Sequence, residues 1–304
     1  MNILGKRYYF FALSLFLIVP GLILLGIKGV PLSIDFTGGT FLEVKFEDGK
    51  TPDTATVLSI YEDAQIEDAQ VTVTDGGSLV IRSSFLTNEA RDVVLTALKE
   101  ATGSEVAVIK FDSVGPSIGE QVTQRAAIAV AVSSLLVVLF IIWSFRKVQN
   151  AFRYGVCAIL AMIHDILIIV SITGIGAFFF GWEVDSLFLT ALLTVIGFSM
   201  QDTIVVFDRI RENSNILRRV EYETLVNHSI VQTLQRSINT QLMTVEFLLL
   251  ALAMFGGVTL REFAIILLVG LLSGTYSSIF VAAPILVLWE KREWTTWFGR
   301  GANA

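Results

Sequence analysis

Three carboxylic acids of this 304-residue chain, Asp165, Asp202 and Glu246, lie inside long apolar stretches. Holding a charge at such a position is costly if the stretch lies in lipid, so an acid found there is a candidate for a group that gains and loses protons. Acids and histidines inside a membrane serve as proton relays in pumps and transporters. The chemistry that these residues predict is therefore proton transfer within a membrane.

Asp202 has the most favourable sequence neighbourhood of the three acids. Gly197, Ser199 and Thr203 surround it with small and polar side chains. Ser199 lies three residues before Asp202 and shares its helix face, and Gly197 is expected to let another helix approach closely. We expect a cavity that admits water or a proton here. The alternative is a hydrogen bond that only packs two helices.

Two further groups accompany these acids. His164 precedes Asp165, and the pair is either a proton relay, because histidine titrates near neutral pH, or a satisfied hydrogen bond between helices. Arg236 begins the fifth apolar stretch and either extends to the aqueous surface or turns inward to a carboxylate. Glu246, deeper in that stretch, is expected to face the interior of the helix bundle.

The elements that must position these residues are membrane-spanning helices. Of all residues, 54% are apolar and 16% charged, whereas soluble domains carry about 25% charged residues. Six stretches approach or exceed the 20 or so residues that a span needs: 8–27, 126–145, 154–182, 186–207, 237–260 and 263–289. The sequence predicts an α-helical polytopic membrane protein with six transmembrane helices.

Charge distribution predicts how the chain is oriented. Lysine and arginine concentrate before the first span, in the loops after the second and fourth, and after the sixth. Basic loops face the cytoplasm, so both termini are expected there, in the cell inner membrane. We predict four segments: 1–28 (helix one), 29–125 (extracytoplasmic domain), 126–290 (helices two to six) and 291–304 (cytoplasmic tail). A net charge of −6 argues against nucleic-acid binding, and the lone Cys157 excludes an intrachain disulfide.

The segment 29–125 has the pattern of a small α+β domain. It carries 16 acidic and 7 basic residues, which we interpret as a solvated surface. Alternating apolar residues over 40–46 predict a strand, and Thr87 is expected to cap a helix. The complete order β-α-β-β-α-β predicts a ferredoxin-like sheet. Neither paired acid and base residues nor metal-ligand spacing occurs in it, so no enzyme, cofactor or metal is expected.

Four motifs make the chain similar to the SecF family of protein-export membrane proteins. They occur in the expected order along almost the whole chain. The first motif includes Asp35, Phe36, Gly38 and Gly39, and the second includes Gly115, Pro116 and Gly119. The third spans 197–213 and includes Gly197, Asp202, Asp208 and Arg209, and the fourth comprises Arg236, Ser237 and 274–279.

The resemblance implies a function that composition alone does not. SecF and SecD together are similar to RND exporters, so this chain would be half of an RND-like bundle. Family members use proton flow to drive late steps of polypeptide translocation beside the SecYEG channel. The implied proton pathway includes Asp202 and Arg236, and we add His164, Asp165, Ser199, Thr203 and Glu246 as candidates. The implied partners are SecD, SecYEG, unfolded exported polypeptides and membrane lipids.

Several alternatives stay open at the level of sequence. Sodium in place of protons is one. A passive translocon scaffold and an RND-like exporter half for lipids or small molecules are others. An intramembrane aspartyl protease would require Asp165 and Asp202 to face each other as a dyad.

Overall fold

The computed structural model describes residues 2–47, 51–74, 77–146, 151–241, 247–255 and 257–293. The chain divides into two compact units. A helical unit comprises Met1–Pro31 and Ala129–Ala304, and a sheet unit comprises Leu32–Ile128.

The helical unit is that of a multi-pass membrane protein. Its helices are α1 (Arg7–Lys28), the later part of α5 (Pro116–Phe145), α6 (Ala151–Phe180), α7 (Ser186–Ile216), α8 (Tyr222–Gln241), α9 (Phe247–Phe255), α10 (Val258–Ser277) and α11 (Ala283–Lys291). In the part of the chain that the structure describes, five segments are long and apolar enough to cross a membrane: Leu4–Lys28, Pro116–Phe145, Ala151–Phe180, Ser186–Ile216 and Leu260–Lys291. The predicted fifth span, 237–260, is not among them. It includes the end of α8 and all of α9, and residues 242–246 lie outside the described residues.

The last span is not a single regular helix. A π-helical turn, Ser278–Ala282, joins α10 to α11. Pro284 stands in the first turn of α11, and a proline cannot donate the backbone hydrogen bond that continues an α-helix. The wider turn lies directly after the stretch 273–277, which carries four of the hydroxyl groups described below.

One end of the helical unit brings the two described chain ends together. Arg7 pairs with Glu223 at 3.1 Å and with Glu293 at 2.7 Å. The backbone N–H of Ile3 donates to Asn227 Oδ1 at 2.8 Å. The start of α1, the start of α8 and the end of α11 therefore meet here, and we call this the termini end.

The sheet unit contains a four-stranded antiparallel sheet. Its elements are α2 (Ile34–Thr37), β1 (Gly39–Phe46), α3 (Thr54–Asp63), β2 (Gln70–Val73), β3 (Ser78–Ser83), α4 (Asn88–Thr102), β4 (Val106–Val114) and the start of α5. The strand order is β2-β3-β1-β4. Strands and the helices between them follow the predicted order.

Side-chain alternation explains the core of this unit. Leu42, Val44 and Phe46 of β1 are buried, as the pattern over 40–46 predicts. The Thr87 hydroxyl accepts from the backbone N–H of Ala90 at 3.3 Å and caps α4. Two features differ from the sequence prediction. The short helix α2 was not predicted, and α5 begins ten residues before the predicted span, because its first three turns are polar and carry no hydropathy signal.

Candidate functional site

Asp165 is the centre of a buried hydrogen-bond cluster. The residue is 1% exposed. Its Oδ2 accepts from Ser199 Oγ at 2.5 Å and Ser277 Oγ at 2.6 Å, and its Oδ1 accepts from Ser273 Oγ at 2.6 Å. His164 Nδ1 lies 3.1 Å from Oδ1. A carboxylate offers about four acceptor positions, so those of Asp165 are filled, and one side chain of α6 joins α7 and α10.

The imidazole of His164 extends this cluster to α1. Its Nε2 lies 2.9 Å from Ser14 Oγ. The Ser14 hydroxyl also lies 3.4 Å from Tyr276 Oη, and Tyr276 donates to the Phe10 carbonyl at 2.7 Å. The His164–Asp165 pair thus forms hydrogen bonds between helices, which was one of the two alternatives from the sequence. The same arrangement is compatible with the other alternative, a proton relay.

Asp202 has a different environment from Asp165. Its side chain is 6% exposed. Gln241 Nε2 donates to its Oδ2 at 3.3 Å and Thr275 Oγ1 at 3.2 Å. No described residue donates to Oδ1. Two neutral groups, from α8 and α10, therefore hold one oxygen of Asp202.

Helix α10 serves both carboxylates. Ser273 and Ser277 bind Asp165, and Thr275 between them binds Asp202. The close approach of α7 and α10 occurs at Gly274, where an added Cβ would lie 3.1 Å from Ser199 Cα. Gly197 was expected to allow such a contact, but no described helix of this chain makes one there. It is exposed, and no atom lies within 4 Å of its Cβ position, because it lies on another face of α7 than Ser199.

Arg236 lies on an exposed face of its helix. It is exposed and lines a cavity of about 320 Å³. The other lining residues are Ile204, Val205, Asp208, Arg209, Glu212, Gln232 and Thr233. Arg236 is near enough to attract Asp202 electrostatically, but within the described ranges the two side chains form no ion pair. Of the two alternatives from the sequence, the structure has the one in which the Arg236 side chain lies at the surface and not against a carboxylate.

The remaining membrane candidates are distributed as follows. Thr203 is buried and donates to the Ser199 carbonyl of its own helix at 3.1 Å. Asp208 pairs with Arg211, and Arg209 pairs with Glu212 at 2.8 Å, so these motif residues form ion pairs within α7. Glu246 lies outside the described residues.

The two glycine motifs of the sheet unit pack against each other. Gly38 and Gly39 have φ values of 71° and 115°, which L side chains rarely adopt. A Cβ on Gly119 would lie 2.7 Å from Gly38 N. The other motif residues, Asp35, Phe36, Gly115 and Pro116, flank this contact, and Thr123 donates to the Phe36 carbonyl at 3.0 Å. The motifs thus join the entry to β1 with the start of α5.

Several residues of the site were not among the proton-pathway candidates from sequence, although 275–277 lie within the fourth family motif. Hydrogen bonds to one of the two carboxylates or to His164 come from Ser14, Gln241, Ser273, Thr275 and Ser277. Tyr276 bonds Ser14 and so contacts the cluster one step further out. A signal was available, because Ser273 and Ser277 are four residues apart in an apolar span and therefore share one face.

Comparison with known proteins identifies the family of this chain. The family model for the C-terminal part of protein export membrane proteins SecD and SecF matches residues 93–292. A second model, the SecD/SecF GG motif, matches residues 23–50. The chain belongs to the SecD/SecF family.

Individual members of the SecD/SecF family match nearly the full chain. Protein translocase subunit SecF of Anaerolinea thermophila is 61% identical over 100% of this chain and 98% of its own length. The SecF subunit of Thermobaculum terrenum is 45% identical over 99% and 97%. The crystal structure of SecDF from Thermus thermophilus, a translocon-associated membrane protein, aligns with a TM-score of 0.78 at 34% identity. This chain covers 39% of that longer SecDF chain.

Proposed function

We propose that this SecF-family chain uses proton flow through its helical unit to promote late steps of polypeptide translocation. Asp202 is the proton carrier. The observation that supports this role is its asymmetric hydrogen bonding, in which Oδ2 accepts from Gln241 and Thr275 while Oδ1 accepts from no described residue. Both donors are neutral, so no fixed ion pair holds Asp202 in its charged form. Asp165, with all four acceptor positions filled, is better suited to hold the helices.

Protonation of Asp202 would change the forces on Arg236. The ionised carboxylate attracts this guanidinium, which lies within electrostatic range at the surface cavity. A protonated Asp202 no longer attracts it. A group drives a cycle only if its two states favour different arrangements of the protein, and movement of Arg236 between the cavity and Asp202 supplies such a pair of arrangements.

The partners of this activity follow from the family. A SecD-like protein is the partner that the fused SecDF relatives support. We propose that this chain and SecD form two related halves of an RND-like bundle beside SecYEG, surrounded by membrane lipids, with unfolded exported polypeptides as substrate. Protons are the proposed coupling ion, with sodium as the alternative, and no catalytic chemistry is assigned.

The proposed architecture has six membrane-spanning helices. The segment 237–260, which includes α9, is the fifth of them in chain order and adds to the five apolar helices described above. The strand order β2-β3-β1-β4 supports a ferredoxin-like domain, and we place this domain outside the cytoplasm. Arg7 and Lys291 at the termini end support cytoplasmic termini, because basic residues favour that side. The membrane is the cell inner membrane.

Export assays on the Asp202→Asn variant test the proposal. Asparagine keeps the shape of the protonated acid and cannot ionise. In membrane vesicles with the SecD-like partner, the variant should assemble normally and lose most of the increase in export that a proton gradient produces. Asp202→Glu, which still titrates, should keep part of that increase. An Asn variant that responds fully to the gradient would reduce Asp202 to a packing residue.

The same vesicles distinguish the coupling ion. Export by the wild type is compared with and without sodium at a constant proton gradient. Equal export in the two media supports protons. Export that follows sodium and ignores the proton gradient would contradict proton coupling while leaving the family membership unchanged.

A further inference from the structure

Helix α8 carries a line of buried polar side chains on one face. Ser229, Thr233, Ser237 and Gln241 follow one another at intervals of four residues, and each is at most 4% exposed. Residues four apart lie on the same face of a helix. With a rise of about 1.5 Å per residue, the line is about 18 Å long. We call these four residues the α8 polar stripe.

The α8 polar stripe connects two places already described. At one end, Gln241 donates to Asp202. Two turns earlier, Thr233 lines the cavity of about 320 Å³ at which Arg236 is exposed. The interval from Thr233 to Gln241 is about 12 Å at about 1.5 Å per residue. A polar face thus extends from an open cavity to the proposed proton carrier.

Ser237 lies midway along this interval and has a distinctive hydroxyl. The hydroxyls of Ser229 and Thr233 donate to backbone carbonyls of their own helix, at 2.8 Å to Leu225 and 3.1 Å to Ile230. Ser237 Oγ is buried, yet it makes no hydrogen bond with any of the described residues. Its capacity to donate and to accept is therefore available to a small polar molecule.

Water is the molecule that fits this position. A buried water usually makes about three hydrogen bonds and occupies places where polar groups would otherwise lack partners. Ser237 offers one such group, and Thr233 and Gln241 lie one turn away on either side of it. Because a water can accept a proton from one neighbour while it donates one to another, waters along this face would carry protons over a distance that Asp202 cannot span alone.

We propose that the α8 polar stripe lines a hydrated path between the surface cavity and Asp202. Ser237 is a positioning residue that holds water midway along the path. This inference deepens the proposed function and rests on it for the direction of use, but the hydration of the stripe is testable without any measurement of transport.

Cysteine reactivity tests for the water. Cys157 is the only cysteine of the chain and is fully buried, so Cys157→Ala provides a background without thiols. Ser237→Cys in that background places a thiol of similar size on the stripe. Ile230→Cys is the matched control, because Ile230 is fully buried on the same helix but lies off the stripe.

The probe is methanethiosulfonate ethylammonium, a small charged reagent that reacts with thiolates in contact with water. It is applied to opened membranes that contain the full chain and its SecD-like partner. Cysteine at 237 should react at least tenfold faster than cysteine at 230 or native Cys157. Equal rates at 237 and 230 would overturn the hydrated path, because both positions are equally buried in the protein.

Gradient-driven export then tests the role of Ser237. Ser237→Ala removes the hydroxyl and should lower the gradient-dependent increase at least threefold, whereas Ser237→Cys, which retains a polar group, should be less affected. If the wild type shows no response to the gradient, the proposed function fails and the labelling result still decides whether the stripe is hydrated. If the wild type responds and Ser237→Ala responds equally, the positioning role of Ser237 is refuted while Asp202 keeps its role.

Discussion

Replacement of Asp165 with alanine removes the shared acceptor that holds three helices. Ser199 from α7 and Ser273 and Ser277 from α10 would lose their interhelical hydrogen bonds together. Such bonds contribute about 0.6 kcal/mol on average and up to about 1.7 kcal/mol each in membrane proteins. Three of them predict a decrease of about 2–5 kcal/mol in the free energy of unfolding of the helical unit.

Two further variants separate the contribution of the charge from that of the hydrogen bonds. Asp165→Asn keeps the volume and one acceptor oxygen, so the serines on the amide side must rotate, and we expect a loss of about 1–2 kcal/mol. Ser273→Ala removes one donor and should cost about 1 kcal/mol. The Asn variant should therefore lie between Ser273→Ala and Asp165→Ala in stability.

The measurement is reversible unfolding of the purified full chain in mixed micelles with increasing sodium dodecyl sulfate, followed by circular dichroism. A decrease of about 2–5 kcal/mol changes the unfolding equilibrium constant by roughly 30- to 4,000-fold, since about 1.4 kcal/mol is tenfold. Asp208→Asn is the control, because Asp208 is exposed and its ion pair, with Arg211, lies within its own helix. This variant should change stability by less than about 0.5 kcal/mol. An Asp165→Ala variant as stable as this control would refute the role of Asp165 as an anchor.

Two further predictions concern the glycine motifs and the termini end. Gly119→Ala should destabilise the sheet unit, because the new Cβ would lie 2.7 Å from Gly38 N. Gly115→Ala in the same motif should have little effect, because no described atom lies within 4 Å of its Cβ position. Thermal unfolding of both variants checks this prediction, and equal melting temperatures would contradict it. The hydrogen bond from Lys291, together with the positive charge of Arg7, lowers the pKa of Glu223. The ion pairs of Glu223 therefore stabilise the fold fully above the ordinary glutamate pKa of about 4.3. This stabilisation is lost as the pH falls through the lower pKa that Glu223 has in the folded protein. Glu223→Gln should therefore be less stable than the wild type at pH 7 and equally stable once the pH lies below the folded pKa of Glu223. A difference that persists in acid would show that packing, not charge, is responsible.

Local sequence patterns predicted much of the fold. The alternation over 40–46 identified Leu42, Val44 and Phe46 as the buried face of β1, because successive side chains of a strand point to opposite sides. Thr87 was identified as a helix cap because its side chain bonds a backbone group only three residues away. Long apolar runs indicated five spans that the structure also has, because the property that matters resides in one continuous segment; the sixth, 237–260, stays a prediction.

Site residues were predicted where a polar side chain interrupts an apolar helix. Asp165, Asp202 and Ser199 all proved to be buried, and their types in that setting are informative by themselves. The sequence could not show that Asp165 has its four acceptor positions filled while Asp202 has an oxygen without a described donor. That difference depends on donors from α7, α8 and α10, which are distant in the chain from the acids that they bind.

Only the tertiary structure decided how each helix is rotated and which neighbour it meets. Gly197 and Gly274 are equally small, yet only Gly274 lies at the contact between α7 and α10. Arg236 was compatible with two orientations, and the structure places it at the surface cavity. A sequence specifies which residues share a face of one helix, because the helical period is local. Which face meets which helix is a property of the packed bundle, because the rotation of each helix depends on its packing against all of its neighbours.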